Sequence, residues 1–515
     1  VAIGNLSQEI EPWKNQIFGK MTKPDFEPTT AAAGFSLMAA PYVSRRVAPD
    51  QPLTRVLGRT GFKVSTLGLG GQAALQWTPP GENPEHIILK AISLGINYLD
   101  TSNRYGPSQR NYGKAFRTLQ LIPGVAGYDE RKRRSLFLAS KTRLRYAKGK
   151  PGNHGQVTNT TNGAPESMTV DDIKRTLSQI FGDGQGYYPP GAFLDLFQIH
   201  NIVNLHEVSA IFEDLANPDP KAEWIGALAA LRDYRDGSNL TGLNPKEEKL
   251  IRHIGITGHF SSPVLMECLK RDTANVIDTL LVAVNANDRH YFSHQYNVLP
   301  VATAKNLGVI AMKVFADGAM FGKGNHFSRN ADDVVRAVSS PEIPSAALIQ
   351  YTLSTPGVAT AIIGIGHIDQ DSKRCQLEQN LAASRLVGLD AGQRRNIEQM
   401  AARAKGGRTN YFQQEAEGLS APRQVAVSQE MQAERRLARL SWQTAYAGDQ
   451  PLILYEIERD EETIGRVEHH PQTTLTPFTF EDVLRDHRSH RYRVVTVDAG
   501  ARRAASEELV VPATD

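Results

Sequence analysis

From residue 64 the chain alternates between short apolar, β-branched runs and longer stretches whose apolar positions recur every three or four residues. The runs at 64–70, 97–100, 135–141, 194–200, 253–257, 279–285, 309–313 and 359–364 predict eight strands. Helical spacing over 85–94, 170–181, 263–271, 295–306 and 344–352 fills intervals between them. Strands that alternate with helices build parallel sheets, and eight such repeats predict a closed (β/α)8 barrel. The rival is an open, doubly wound sheet, which wants a Gly-x-Gly-x-x-Gly turn opening a helix after its first strand. Here Gly68, Gly70 and Gly71 run instead into Trp77-Thr78-Pro79-Pro80, a loop.

Beyond Gly407 the period shortens to two. Strands are expected at 424–428, 438–445, 452–459, 463–468, 478–483, 492–498 and 507–511, the arithmetic of a β-sandwich. The predicted organisation is therefore α/β, a (β/α)8 TIM barrel over 51–405, a linker over 406–421 and an all-β sandwich over 422–515. Residues 1–50 precede the barrel as an arm or a signal-like segment.

Composition narrows this picture little. A 40% hydrophobic and 22% charged chain with a net charge of +3 is ordinary globular protein, with no electrostatic case for nucleic acid or a membrane surface. Cys268 and Cys375 provide neither a disulfide framework nor a cysteine-based zinc pattern. The apolar stretch 31–41 is shorter than the ~20 residues of a membrane span. It has the length and small-residue ending of a signal-peptide core, or it belongs to a surface arm; Arg45 and Arg46 follow it, the wrong order for an export signal.

The chemistry lies where the runs end. In a (β/α)8 barrel the active site is built at the C-terminal ends of the strands. Asp100 ends the second predicted strand, Tyr105 lies in the loop after it, Lys141 ends the third and His200 the fourth. Singly, each reads as a rim aromatic, a solvated charge or a structural histidine. Together at successive strand ends they read as a set for carbonyl reduction. Hydride transfer to a carbonyl leaves charge on oxygen, which needs a proton donor and a polarising hydrogen bond. A tyrosine hydroxyl of pKa ~10 serves as that acid if a cation stabilises its phenolate. Lys141 is the expected cation, Asp100 its buried counter-ion and His200 the carbonyl-orienting group.

From about residue 53 to 404 the chain resembles the aldo-keto reductase family. The resemblance rests on the opening stretch 57–70 (Leu57-Gly58-Arg59 through Gly68-Leu69-Gly70), on 95–106 with its Asp100-Thr101-Ser102-Asn103-Arg104-Tyr105-Gly106, and on Gly113-Lys114-Ala115. In that family Asp, Tyr, Lys and His form a catalytic tetrad, matched here by Asp100, Tyr105, Lys141 and His200. The resemblance implies a nicotinamide cofactor, NADPH with NADH as the alternative, lying extended across the barrel mouth. Thr257 stands for a serine that holds the nicotinamide amide; Gly258 lacks the neighbouring asparagine side chain, so His259 is the substitute. Asn285 follows the sixth strand, Met312 stands where a tyrosine commonly stacks on nicotinamide, and Lys313 and Gly318 follow it. Gly364, Gly366, Glu378 and Asn380 resemble an adenosine-binding stretch, and Arg374 either meets a 2′-phosphate or is an exposed helix-start arginine.

Trp77 is a candidate wall of the substrate pocket or packing beneath a rigid loop. The insert 143–167, close behind Lys141, is expected to hang over the active-site face and hold substrate choice. The expected partner is a small-molecule carbonyl compound. A nucleotide-retaining sensor and a sugar isomerase or epimerase with tightly held cofactor are the alternatives. The C-terminal stretch resembles a fibronectin type III domain, with Trp442 on its second strand, Tyr455 opening the third and Tyr492 the sixth. That resemblance implies a contact with polysaccharide or protein, and it tips the expected location toward the periplasm or the exterior.

Overall fold

The structure, a computed structural model, describes residues 52–386, 388–416, 418–432 and 435–514. The N-terminal arm read from the sequence lies outside the described residues.

Eight parallel strands close into a barrel: β1 (Leu67–Leu69), β2 (Tyr98–Asp100), β3 (Phe137–Thr142), β4 (Leu194–Ile199), β5 (Ile251–Gly258), β6 (Thr279–Ala283), β7 (Gly308–Met312) and β8 (Val358–Ile363). Each pairs with its sequence neighbours, and β8 pairs with β1. Tyr98, Phe137, Ala139, Leu196, Leu281, Ile310, Met312 and Ile362 fill the interior in one buried cluster. Burial of these side chains, about 25 cal/mol per Å² of apolar surface, is what holds the barrel closed. Leu57, Phe62 and Val64 of a hairpin formed by Thr54–Val56 and Lys63–Ser65 pack onto the same cluster.

The helices form the outer layer: α1 (Pro84–Ser93), α2 (Ser108–Thr118), α3 (Thr169–Phe181), α4 (Leu205–Phe212), α5 (Ala227–Asp236), α6 (Ser262–Arg271), α7 (Val298–Ala304), α8 (Ser345–Leu353), α9 (Gln376–Ser384) and α10 (Ala391–Arg403). The start of α1 shows the local cause: Asn83 accepts from the Glu85 and His86 amides and Pro84 needs no partner for a missing N–H. Among the described residues no helix is long and apolar enough to cross a membrane.

Two expectations shift. The run 64–70 is not one strand: Val64 belongs to the hairpin and Leu67 opens β1, with the Ser65 hydroxyl donating to the Leu67 carbonyl at 2.7 Å across the bend. The helix expected over 295–306 shortens to α7, because Asp288 accepts from the His294 and Gln295 amides at 2.9 and 3.1 Å and holds them in a turn.

The C-terminal unit is a sandwich of two antiparallel sheets. One contains β9 (Arg423–Gln432), β10 (Arg435–Gln443) and β13 (Phe478–Leu484); the other contains β11 (Leu452–Arg459), β12 (Glu462–Glu468), β14 (His490–Asp498), β15 (Arg503–Ala505) and β16 (Leu509–Val511). Trp442, Tyr455, Phe478 and Tyr492 come from both sheets into one core. The unit is tied to the barrel through Asn297, whose side chain donates to the Ala447 carbonyl at 3.0 Å and accepts its amide at 2.8 Å.

Candidate active site

The ends of β2, β3 and β4 bring Asp100, Lys141 and His200 together at the barrel mouth, with Tyr105 in the loop after β2. Alternation along β3 explains Lys141: Phe137 and Ala139 point into the barrel, so Lys141 does too, while Thr142 turns outward and donates to Asp172 on α3 at 2.6 Å. Lys141 Nζ lies 2.7 Å from both Asp100 oxygens and 2.8 Å from the Thr101 carbonyl. Gly71 lets the loop after β1 close down here, since a Cβ there would stand 2.3 Å from the Asp100 carbonyl oxygen.

Tyr105 stands over this pair. Lys141 Nζ is 4.8 Å from the centre of its ring, and the His200 ring meets it edge-on at 5.7 Å. An ammonium has three donors, and all three of Lys141's are taken by Asp100 and Thr101. Lysine therefore reaches the tyrosine across the ring face and not through its hydroxyl. Burial, with the Asp100 and Asp317 charges, pushes the Tyr105 phenol well above its ordinary value. The downward shift expected from Lys141 is thus offset, because Asp100 neutralises the cation and the ring is largely buried. Tyr105 is held protonated, the form a proton donor needs.

Burial also pushes Asp100 up and Lys141 down, each opposed by the other's charge. His200 is held well below the usual histidine range by burial first and then by the Lys141 charge, with Arg143 and Arg145 adding to it, so its ring is neutral. Its Nδ1 is 3.4 Å from the Ser102 hydroxyl. Arg145, fully buried, fixes the backbone around it, donating to the carbonyls of Arg143, His200 and Asn201 at 2.9–3.0 Å and to Glu207 at 3.0 Å.

A cavity of about 150 Å³ opens beside Tyr105 and Trp77 and runs over the ends of β7, β8 and β1. Of the residues carried over from the resemblance, His259, Met312, Lys313, Gly318, Gly364 and Asn380 line it. His259 Nδ1 is buried without a hydrogen-bond partner, and burial followed by the Lys313 charge holds that ring neutral.

The others lie elsewhere or are already engaged. The Thr257 hydroxyl accepts from the Asn201 amide at 2.8 Å. Asn285 is locked to Asn410, exchanging hydrogen bonds of 3.0 and 3.1 Å, and to the Lys313 carbonyl. The Gly366 amide donates to Gln376, which itself lines the cavity. Arg374 is 71% exposed and pairs with Asp369 at 3.2 Å. Glu378 pairs with Lys90 at 2.6 Å.

In the loop after β7 the sequence singled out Lys313 and Gly318 but not Asp317 or Lys323. Lys313, Ala316 and Asp317 all adopt left-handed backbone, with φ of 57°, 50° and 59°, a strain that clusters at functional sites. Asp317 accepts from Lys313 and Lys323, each at 2.6 Å, and from Tyr411 at 3.2 Å. The two ammoniums and its other hydrogen bonds hold its carboxyl well below the usual range despite burial. Within the stretch expected to be a linker, Thr409, Asn410, Phe412 and Gln413 are buried against this rim. Phe412 and Phe327 each meet the His259 ring at 6.0 Å. The only sequence signal for this rim was the aromatic pair Tyr411-Phe412 in a polar segment.

Comparison with known proteins agrees with this architecture. The model of the Aldo/keto reductase family matches residues 66–402. L-galactose dehydrogenase of Arabidopsis thaliana is 23% identical over 344 residues, 64% of this chain and 87% of that protein. An uncharacterized oxidoreductase of Bacillus subtilis (strain 168) is 22% identical over 352 residues, 64% of this chain and 90% of that protein. Among solved structures, an aldo/keto reductase from Klebsiella pneumoniae in complex with NADP and acetate is 18% identical, covering 68% of this chain and 95% of its own at a TM-score of 0.40.

Proposed function

The chain belongs to the aldo/keto reductase family and is an oxidoreductase, and from that premise we propose that it reduces the carbonyl of an aldehyde, ketone or sugar, with NADPH as the reductant and Tyr105 as the proton donor. The observation that carries the reading is the stack of Asp100, Lys141, Tyr105 and His200 at one edge of the long cavity.

The cavity fits a nicotinamide dinucleotide by its donor set. The unpartnered Nδ1 of His259 and the Met312 side chain would meet the nicotinamide end, Lys313 and Lys323 the phosphates, and Gln376 and Asn380 the far end. Lys313 and Lys323, both paired with the Asp317 carboxylate, would turn one or both ammoniums from that oxyanion to phosphate oxygens. When bound, the cofactor supplies the hydride.

The chain's own residues do the remainder. Neutral His200 orients and polarises the carbonyl oxygen. Tyr105 gives its hydroxyl proton to the oxygen as negative charge develops there. Lys141, 4.8 Å beneath the ring centre, lowers the cost of the resulting phenolate, and Asp100 keeps the ammonium in place. Trp77 closes the side of the cavity next to Tyr105. The sugar dehydrogenase among the relatives places sugars among the compounds to try first. We read the C-terminal sandwich as a fibronectin type III-like module on the strength of its three- and five-stranded sheets and its buried Trp442.

The test is to mix purified protein with NADPH and a panel of aldehydes, ketones and aldoses and follow the nicotinamide absorbance. Substrate-dependent loss of NADPH is expected. No loss with any of them, together with interconversion of a sugar at constant NADPH, would replace this reading with an isomerase or epimerase.

A further inference from the structure

Arg143 directly follows Thr142, the last residue of β3. Thr142 pairs with Ile199 in the parallel register of β3 and β4, and the His200 amide donates to the Thr142 carbonyl at 2.7 Å, so Arg143 emerges beside His200 at the mouth. Arg143 follows the end of β3, and its charge acts on the His200 ring, which sets it beside that residue at the mouth.

Its guanidinium makes no hydrogen bond or ion pair among the described residues, and its Nε is buried with no partner. This is costly for a half-buried cation, and the neighbours do not relieve it. Arg145 is spent on Glu207 and three carbonyls, Arg175 faces Asp172 at 3.6 Å and donates to the Asn103 carbonyl, and Arg104 donates to Asn162 of the insert at 2.8 Å. Four guanidiniums thus share two carboxylates, Asp172 and Glu207, both already filled by hydrogen bonds from Thr142, Thr161, Thr158 and Val203. Burial, then the Arg145 and Arg104 charges, push the Arg143 guanidinium down from its ordinary value, against a smaller upward pull from Glu207.

The dinucleotide cavity does not supply that counter-charge. Its phosphate-facing lysines rise from the loop after β7, while Arg143 rises from β3 beside β4, on the other side of Tyr105. We propose that Arg143, with Arg104 beside it, binds an oxyanion carried by the carbonyl substrate, a carboxylate or a phosphate held by the planar guanidinium fork. The inference rests on the reductase reading, and it names the substrate class: an aldehyde, ketone or sugar that bears an acid group a few bonds from its carbonyl.

Two matched pairs of substrates test it, 4-carboxybenzaldehyde against its methyl ester and glyceraldehyde 3-phosphate against glyceraldehyde, with the full chain and NADPH. In at least one pair the charged member is expected to have a kcat/KM about tenfold or more above the neutral one. A preference in the first pair assigns a carboxylate, and in the second a phosphate. Arg143→Met is expected to collapse that ratio toward one and Arg143→Lys to keep part of it. Titration calorimetry with 4-carboxybenzaldehyde and glyceraldehyde 3-phosphate on the NADP-loaded protein and on Arg143→Met gives a second readout. Turnover without charge preference in either pair, and without Arg143-dependent binding, overturns the anion site and leaves the reductase reading standing. Arg143-dependent binding without turnover leaves the anion site and removes the reductase reading. Neither turnover nor binding overturns both.

Discussion

Lys141 Nζ lies 2.7 Å from each carboxylate oxygen of Asp100, and both side chains are almost fully buried. Removing one partner strands the other's charge in a buried position, at a cost of about 3–5 kcal/mol. Asp100→Asn is expected to lower unfolding free energy by that amount in urea titrations, and Lys141→Met likewise. The double variant is expected to lose less than the sum of the two, because neither charge is then left alone.

Arg145 and Glu207, 3.0 Å apart and fully buried, act on the site through backbone. The same guanidinium holds the carbonyls of His200 and Arg143. Arg145→Met is expected to misplace both side chains and cut kcat about tenfold to hundredfold. The affinity for NADPH, measured by fluorescence titration, is expected to stay at the parent value, since neither Arg145 nor Glu207 lines the cavity proposed to hold it.

Several histidines are buried neutral. Burial holds His200, His259 and His294 below the usual range, and burial with the His470 charge brings His469 to about 4. Near pH 7 both folded and unfolded states carry them mostly neutral. As pH falls below about 6.5 the unfolded chain takes up protons that the folded one refuses, so stability falls with acidification, by at most about 1.4 kcal/mol per histidine per unit of separation. Urea midpoints are expected to decline steadily from pH 7 to pH 4.5 and to be flat between pH 7 and 8.

Asn297 clasps the sandwich through both hydrogen bonds of Ala447, backed by the edge-on contact of Phe292 with Tyr446 at 5.8 Å. Asn297→Ala leaves a buried amide and carbonyl unsatisfied, a loss of about 1–3 kcal/mol. Differential scanning calorimetry is expected to show the transition shift down or divide in two, with reductase activity at 25 °C retained.

Three residues of the candidate site were legible because they stand at the ends of apolar runs: a barrel strand stops where its side chains meet the mouth, and a polar residue there is visible against what precedes it. Asp100, Lys141 and His200 all carry that mark. The rim carried none. Asn285 with Asn410 and Asp288 with Gln413 are pairs separated by 125 residues, and hydrogen bonds between distant loops leave no period. The loop 313–328 was read only at Lys313 and Gly318, and Asp317, which organises it, is an acid in a place expected to meet phosphates. Arg143 fell inside an insert named for substrate choice, yet its isolation shows only when every neighbouring carboxylate is traced to another partner.

The most direct test of the account is Tyr105→Phe, assayed for turnover and for NADPH binding on the same preparation. The phenyl ring keeps its contacts with Lys141 and His200 and loses only the transferable proton. A fall in kcat of about 10²- to 10⁴-fold is expected, with NADPH affinity unchanged. Turnover at the parent rate would contradict it, because the oxygen of the product would then take its proton from elsewhere.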